Sequence, residues 1–220
     1  NGLLIQRRPW LEKLRALADK HGAMLIFDEV ITGFRVAPGG AAERLGITPD
    51  IATFGKVIGG GLPVGAFAAR REVMRQVAPD GPVYQAGTLA GNPVAMAAGL
   101  SNLRILQREN AWERLEALGE ALEERVKPVL ERGPLPAGFA RVGSIFWMCF
   151  QEGDAPRTAE AISKESAERY GRVFHGLLER GVNVAPSAYE VGFVSAVHDE
   201  QELDRFSEAL AGAIRDAAPR

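Results

Sequence analysis

The sequence has 220 residues, a formal net charge of −2, 46% apolar and 25% charged residues, which is ordinary for a globular chain and long enough for one large or two modest domains. Near-neutral charge with scattered basic residues gives no electrostatic reason to expect nucleic acid or an anionic membrane as a partner, and no apolar run approaches a membrane span. The single cysteine, Cys149, excludes an internal disulfide framework and is expected to be a packed thiol in a reducing, cytoplasmic setting.

The start, Asn1-Gly2-Leu3-Leu4, is neither a methionine start nor a signal peptide, and the chain is expected to begin inside a longer protein. Residues 9–21 are predicted as a helix: Pro9 suits a first turn, Leu11, Leu14, Leu17 and Ala18 make one apolar stripe, and Gly22 stops it. Residues 23–27 are a continuous apolar run, the pattern of a parallel strand buried on both faces. The run ends abruptly in Asp28-Glu29-Val30. Carboxylates at the carboxyl end of such a strand are where ligand-binding groups collect in α/β sheets, although Asp28 equally suits a cap on the next segment.

Residues 32–40 read as a loop and 41–45 as a short helical turn. Residues 51–53 are a strand leading to Lys56, 64–69 a further strand and 72–77 a helix. Residues 79–91 are irregular, and a long helix is expected from Pro93 to about Arg108. This alternation implies α/β architecture. A boundary is expected between residues 108 and 109. Beyond it, helices over 111–131, 163–180 and from Asp199 or Glu200 to about Asp216 accompany strands over 141–150, 182–184 and 192–197. That half reads as a smaller C-terminal α+β domain.

Between residues 51 and 69 the only charged residue is Lys56, set among Phe54, Val57, Ile58 and Leu62 and five glycines. The other four lysines, Lys13, Lys20, Lys127 and Lys164, each have a charged neighbour within four positions and lie on predicted helices. An amine in apolar surroundings is desolvated, loses its preference for the ammonium form and can attack a carbonyl to form a Schiff base. The alternative is a turn lysine whose head reaches water. If the strands before Asp28 and Lys56 are neighbours, their carboxyl ends present a carboxylate and an amine to one crevice. Pyridoxal phosphate calls for such a pair, the lysine holding its aldehyde and the carboxylate keeping its ring nitrogen protonated. A phosphate would also need donors, and Gly87-Thr88 offers a backbone N–H and a hydroxyl.

Taken in order, the runs LIFDEVITGFR (25–35), TPD (48–50), GKVIGGGLPVGA (55–66) and GPVYQAGTLAGNP (81–93), with APSAYEVGF (185–193), resemble the class III, fold-type I, aminotransferases. The resemblance covers nearly the whole chain and matches the second half of a typical member. It implies the following expectations. The fold is α/β, the second half of a fold-type I PLP-binding large domain over residues 1–108, followed by a small α+β domain over 109–220. The cofactor is pyridoxal 5′-phosphate, alternating with pyridoxamine 5′-phosphate. Lys56 is the catalytic lysine, Asp28 pairs with the pyridine nitrogen and Val30 packs on the ring. Gly87 and Thr88 bind the phosphate of a neighbouring subunit's cofactor, so the enzyme is a homodimer with shared sites. Glu190 lies near the substrate amine, where relatives that use α-keto acids place an arginine; a surface loop acid is the alternative. Residues 81–93 with Ser187-Ala188-Tyr189-Glu190 point to a mutase that converts glutamate 1-semialdehyde to 5-aminolevulinate for tetrapyrrole synthesis. An amine or β-amino acid aminotransferase, or a non-catalytic fragment of the fold, is the alternative. The family's phosphate turn, ring-stacking aromatic, substrate-carboxylate arginine and gating loop belong to its first half and have no counterpart in this sequence.

Overall fold

The computed structural model describes residues 1–218, and they form two compact units. One runs from Arg7 to Trp112; the other combines Asn1–Gln6 with the chain from Glu113 onward. The first six residues thus pack with the later unit rather than with their sequence neighbours. The Gly2 N–H donates to the Tyr189 carbonyl at 2.7 Å, and the Arg157 guanidinium donates to the Ile5 carbonyl at 2.7 Å.

In the Arg7–Trp112 unit, helix α1 (Arg8–His21) precedes strand β1 (Ile26–Asp28), helix α2 (Gly40–Leu45) and strand β2 (Ile51–Phe54). Strand β3 (Ala66–Ala69), the short helix α3 (Arg71–Met74) and the long helix α4 (Pro93–Arg108) follow. The sheet order is β1-β2-β3, with β1 parallel and β3 antiparallel to β2. Asp50 fastens the start of the parallel pair: its carboxylate accepts the Leu25 N–H at 2.8 Å and the Arg15 guanidinium of α1 at 2.7 Å. The Leu25 N–H and then the Arg15 donor hold the Asp50 carboxyl below the usual carboxylate range. The expectation that β1 is buried on both faces is not met: Met24 is 56% and Ile26 57% exposed. Leu25 and Phe27, which alternate with them, are half-buried, and within this unit only Val36, Ile47, Ala95 and Ala111 are buried apolar side chains.

The later unit has a continuous core. Helix α5 (Ala111–Arg132) leads to the antiparallel hairpin β4 (Gly138–Val142) and β5 (Ile145–Cys149). Helix α6 (Lys164–Glu179), strand β6 (Gly192–Phe193) and helix α7 (Glu200–Asp216) complete it, with β6 antiparallel to β5. Leu122 and Val126 of α5, Phe150 after β5, Val173 and Leu177 of α6 and Leu210 of α7 pack together. Sequence pattern merged β5 and part of β4 into one strand. The chain instead turns at Gly143, whose φ of 59° is the left-handed conformation that glycine adopts without strain. The strand expected over 182–184 is absent, because the Val182 N–H is taken by the Leu177 carbonyl at the end of α6. The strand expected over 192–197 stops at Phe193, and the Ser195 N–H turns to His198 Nδ1 instead. Cys149 is a packed thiol: it donates to the Gly138 carbonyl at 3.7 Å, and burial pushes its pKa up.

Candidate active site

Parallel pairing of β1 with β2 sets Asp28 opposite Thr53. Asp28 is the last residue of β1, and Lys56 follows the last residue of β2 by two positions. Both therefore stand at the carboxyl edge of the same two-stranded parallel pair, the arrangement in which α/β sheets collect ligand-binding groups.

The Asp28 carboxylate is held on one side only. Its Oδ1 accepts the Val30 N–H at 3.0 Å and the Thr53 hydroxyl at 3.3 Å. No partner for Oδ2 is found among the described residues, and the residue is exposed. Asp28 does make the local turn contact that a capping residue would, and it retains a free oxygen as well. Glu29, next in the chain, is 1% exposed. Its carboxylate accepts the Ala41 N–H at 2.8 Å, the Ala42 N–H at 2.7 Å and the Thr32 hydroxyl. A buried carboxylate is tolerated when its oxygens are hydrogen-bonded and when it sits at the positive end of a helix, here the start of α2. Glu29 thereby pins the Asp28-Glu29-Val30 turn to the body of the unit.

Lys56 opens a 3-10 turn, Lys56–Gly59, that rests on α4. A side chain at Gly99 of α4 would collide with the Ile58 carbonyl, and the Asn102 amide donates to the Val57 carbonyl at 2.8 Å. Glycine at 99 is what lets the helix backbone reach the turn. Lys56 has φ of 45°, a conformation that side chains other than glycine rarely adopt and that persists where surrounding structure imposes it. The expectation that its amine is desolvated is not met within this chain. Lys56 is exposed: Phe54, Val57 and Ile58 are half-buried, but Leu62 and Phe67 are turned to the surface, and no side chain covers the amine. Val30 lies beside the same turn: a Cβ placed on Gly55 would come within 3.3 Å of Val30 Cγ1.

Gly87 and Thr88 occupy an exposed turn in which the Gly87 carbonyl accepts the Ala90 N–H at 2.9 Å. The turn leads into α4, capped by the Asn92 side chain, which accepts the Ala95 N–H at 2.9 Å. No hydrogen bond joins Gly87 or Thr88 to Asp28, Val30 or Lys56. Glu190 belongs to the other unit, where it is exposed and its N–H donates to the Ser187 carbonyl at 3.1 Å. The structure thus brings together Asp28, Val30 and Lys56. Thr53, Glu29 and Asn102 join them as neighbours that sequence pattern did not single out.

The three clustered residues fit a pyridoxal cofactor. An unpartnered carboxylate oxygen suits a protonated ring nitrogen, a branched apolar side chain suits a ring face, and an unpaired amine suits an aldehyde. No group of histidine, cysteine, aspartate or glutamate able to hold a metal ion occurs among the described residues.

The fold is that of the fold-type I transaminases. The chain aligns with an omega-transaminase from Sphaerobacter thermophilus at a TM-score of 0.89 and 35% identity, covering 98% of this chain and 49% of that one. It aligns with a beta-phenylalanine aminotransferase from Variovorax paradoxus at 0.86 and 33% identity, covering 96% and 48%. A transaminase solved with PLP bound matches at 0.84 and 31% identity, covering 98% and 49%. A family model described as aminotransferase class-III matches residues 1–213, and the chain belongs to that family. Among curated relatives, a glutamate-1-semialdehyde 2,1-aminomutase of Akkermansia muciniphila is 50% identical over 209 residues, which cover 95% of this chain and 49% of the relative. A glutamate-1-semialdehyde 2,1-aminomutase 2 of Brevibacillus brevis is 48% identical over 216 residues, covering 98% and 50%. The chain therefore spans about half the length of the relatives it matches.

Proposed function

We propose that this chain is the lysine-bearing half of a cytoplasmic pyridoxal-phosphate-dependent aminomutase that converts glutamate 1-semialdehyde to 5-aminolevulinate. The observation that carries the reading is the placement of Asp28 and Lys56 at one carboxyl edge of the parallel pair β1-β2. Identity of 50% and 48% to two curated aminomutases supports the choice of substrate.

When bound, the cofactor supplies an electron sink for negative charge on the carbon beside the reacting nitrogen. In this reading the Asp28 carboxylate keeps positive charge on the ring nitrogen, and Val30 packs on the ring. Lys56 would hold the aldehyde form of the cofactor covalently, and its free amine would serve to move a proton at the reacting carbon. The Gly87 N–H and the Thr88 hydroxyl serve the phosphate of the cofactor in a neighbouring subunit, so the working enzyme is a homodimer. Glu190 stands near the substrate amine without offering a carboxylate the grip an arginine would give. The remainder of the longer protein supplies the rest of the site and covers the apolar run at β1.

Aminotransfer to an external acceptor is the second reading, favoured by the structural match to an omega-transaminase and a beta-phenylalanine aminotransferase. Turnover by the complete protein separates the two. A mutase runs steadily on glutamate 1-semialdehyde alone, with no added amino donor or keto acid. A requirement for stoichiometric keto acid, with release of a different amino acid, would replace the mutase by the aminotransferase.

A further inference from the structure

We infer that Thr53 is a positioning residue that turns the Asp28 carboxylate so that one oxygen faces the cofactor's ring nitrogen. The inference deepens the reading above and rests on it. A carboxylate rotates broadly about its last torsion, so a single hydrogen bond leaves its plane poorly defined. Asp28 has two, and they come from different directions. The Val30 N–H reaches Oδ1 from its own turn at 3.0 Å, and the Thr53 hydroxyl reaches the same oxygen from the neighbouring strand at 3.3 Å. Parallel register makes Thr53 the residue directly opposite Asp28, which puts both side chains on one face of the sheet. With both donors on Oδ1, Oδ2 is the oxygen left for a ligand.

The Thr53 carbonyl accepts the Glu29 N–H at 2.9 Å, a bond that any residue at 53 keeps; the hydroxyl is the only side-chain polar group Thr53 contributes, while its β-branched body suits the strand. Thr53→Val keeps the shape and removes the donor; Thr53→Ser keeps the donor and removes a methyl. In the complete protein, Thr53→Val should weaken pyridoxal phosphate binding, measured by absorbance titration of the apoprotein, by about five- to tenfold, the scale of one hydrogen bond. It should lower kcat by about tenfold with KM within about twofold, because ring-nitrogen charge matters chiefly in the transition state. Thr53→Ser should stay within about twofold of the parent in both measurements, and the thermal midpoint of Thr53→Val should match the parent. If Thr53→Val binds cofactor and turns over like the parent, or if Thr53→Ser is as impaired as Thr53→Val, the positioning role is overturned. If the unsubstituted apoprotein loaded with pyridoxal phosphate forms no borohydride-trappable lysine adduct, the cofactor reading falls and this inference falls with it.

Discussion

Two five-residue apolar runs, AMLIF at 23–27 and IFWMC at 145–149, share Met, Ile and Phe and differ sharply in burial: none of the first five is buried and all of the second five are. Every residue of β5 is buried, covered by helices of its own unit and paired on both edges by β4 and β6. In the earlier run Met24 and Ile26 are more than half exposed, and β1 is paired on one edge only. Hydrophobic pattern reports what a segment needs, and the two units differ in how much of that need they meet internally. The later unit closes its own core. The Arg7–Trp112 unit, which carries Asp28 and Lys56, leaves Leu89, Val94 and Leu100 exposed as well. A chain about half the length of its relatives accounts for that contrast if the other half covers this surface.

The contrast can be broken most forcefully by truncating one side chain in each unit. Phe150→Ala should destabilise the later unit by about 3–5 kcal/mol in chemical unfolding, with Leu177→Ala as a milder companion if Phe150→Ala does not fold. Ile26→Ala in the 220-residue chain should cost no more than about 0.5 kcal/mol. In the complete protein the same substitution should cost about 2–4 kcal/mol. Equal costs in short and complete chains would contradict covering of β1.

Glu29→Ala comes next. It would leave the Ala41 and Ala42 N–H groups and the Thr32 hydroxyl without their acceptor, and should cost the earlier unit about 2–3 kcal/mol. Protection of the α2 amides in hydrogen exchange is the direct readout.

A pH scan gives a smaller effect confined to the later unit. Burial raises the Tyr170 hydroxyl from 10.0 to about 12, and it donates to the Ala185 carbonyl. The folded state thus keeps a proton that the unfolded chain releases, so this contribution is whole below pH 10 and is lost as pH climbs toward about 12. Tyr170→Phe should flatten that part of the stability profile.

The smallest effect is at a helix start. Asp199 accepts the Gln201 and Glu202 N–H groups, and Glu202 returns a bond to the Asp199 N–H, a reciprocal cap on α7. Asp199→Ala should cost about 1 kcal/mol by thermal unfolding.

Helices were the most legible elements, because their stripes and caps are local. Pro93 opens α4, and Ser163 and Asp199 cap α6 and α7, where the sequence put those starts. That Asp28 and Lys56 each come at the end of a short apolar strand was legible, but that the two strands are neighbours is only a supposition from sequence, and it is the parallel pairing of β1 with β2 that puts both residues at one edge. Glu29 was not, since it bonds backbone N–H groups 12 and 13 positions away that carry no sequence signature. Thr53 was not, because strand register decides its partner. The left-handed backbone at Lys56 is equally invisible to composition: nothing in a run of glycines and apolar residues says that the lysine adopts φ of 45°. Its exposure is equally hidden from composition, because Phe54, Val57 and Ile58 are half-buried without enclosing the side chain between them.

The proposed reaction stands on Lys56 as the residue that holds the cofactor. Borohydride reduction of the complete protein loaded with pyridoxal phosphate, followed by peptide mapping, tests it directly. One tagged lysine, Lys56, is expected, with no tag in Lys56→Ala. A tag on Lys13, Lys20, Lys127 or Lys164 in place of Lys56, or no tag at all in the unsubstituted protein, would contradict it.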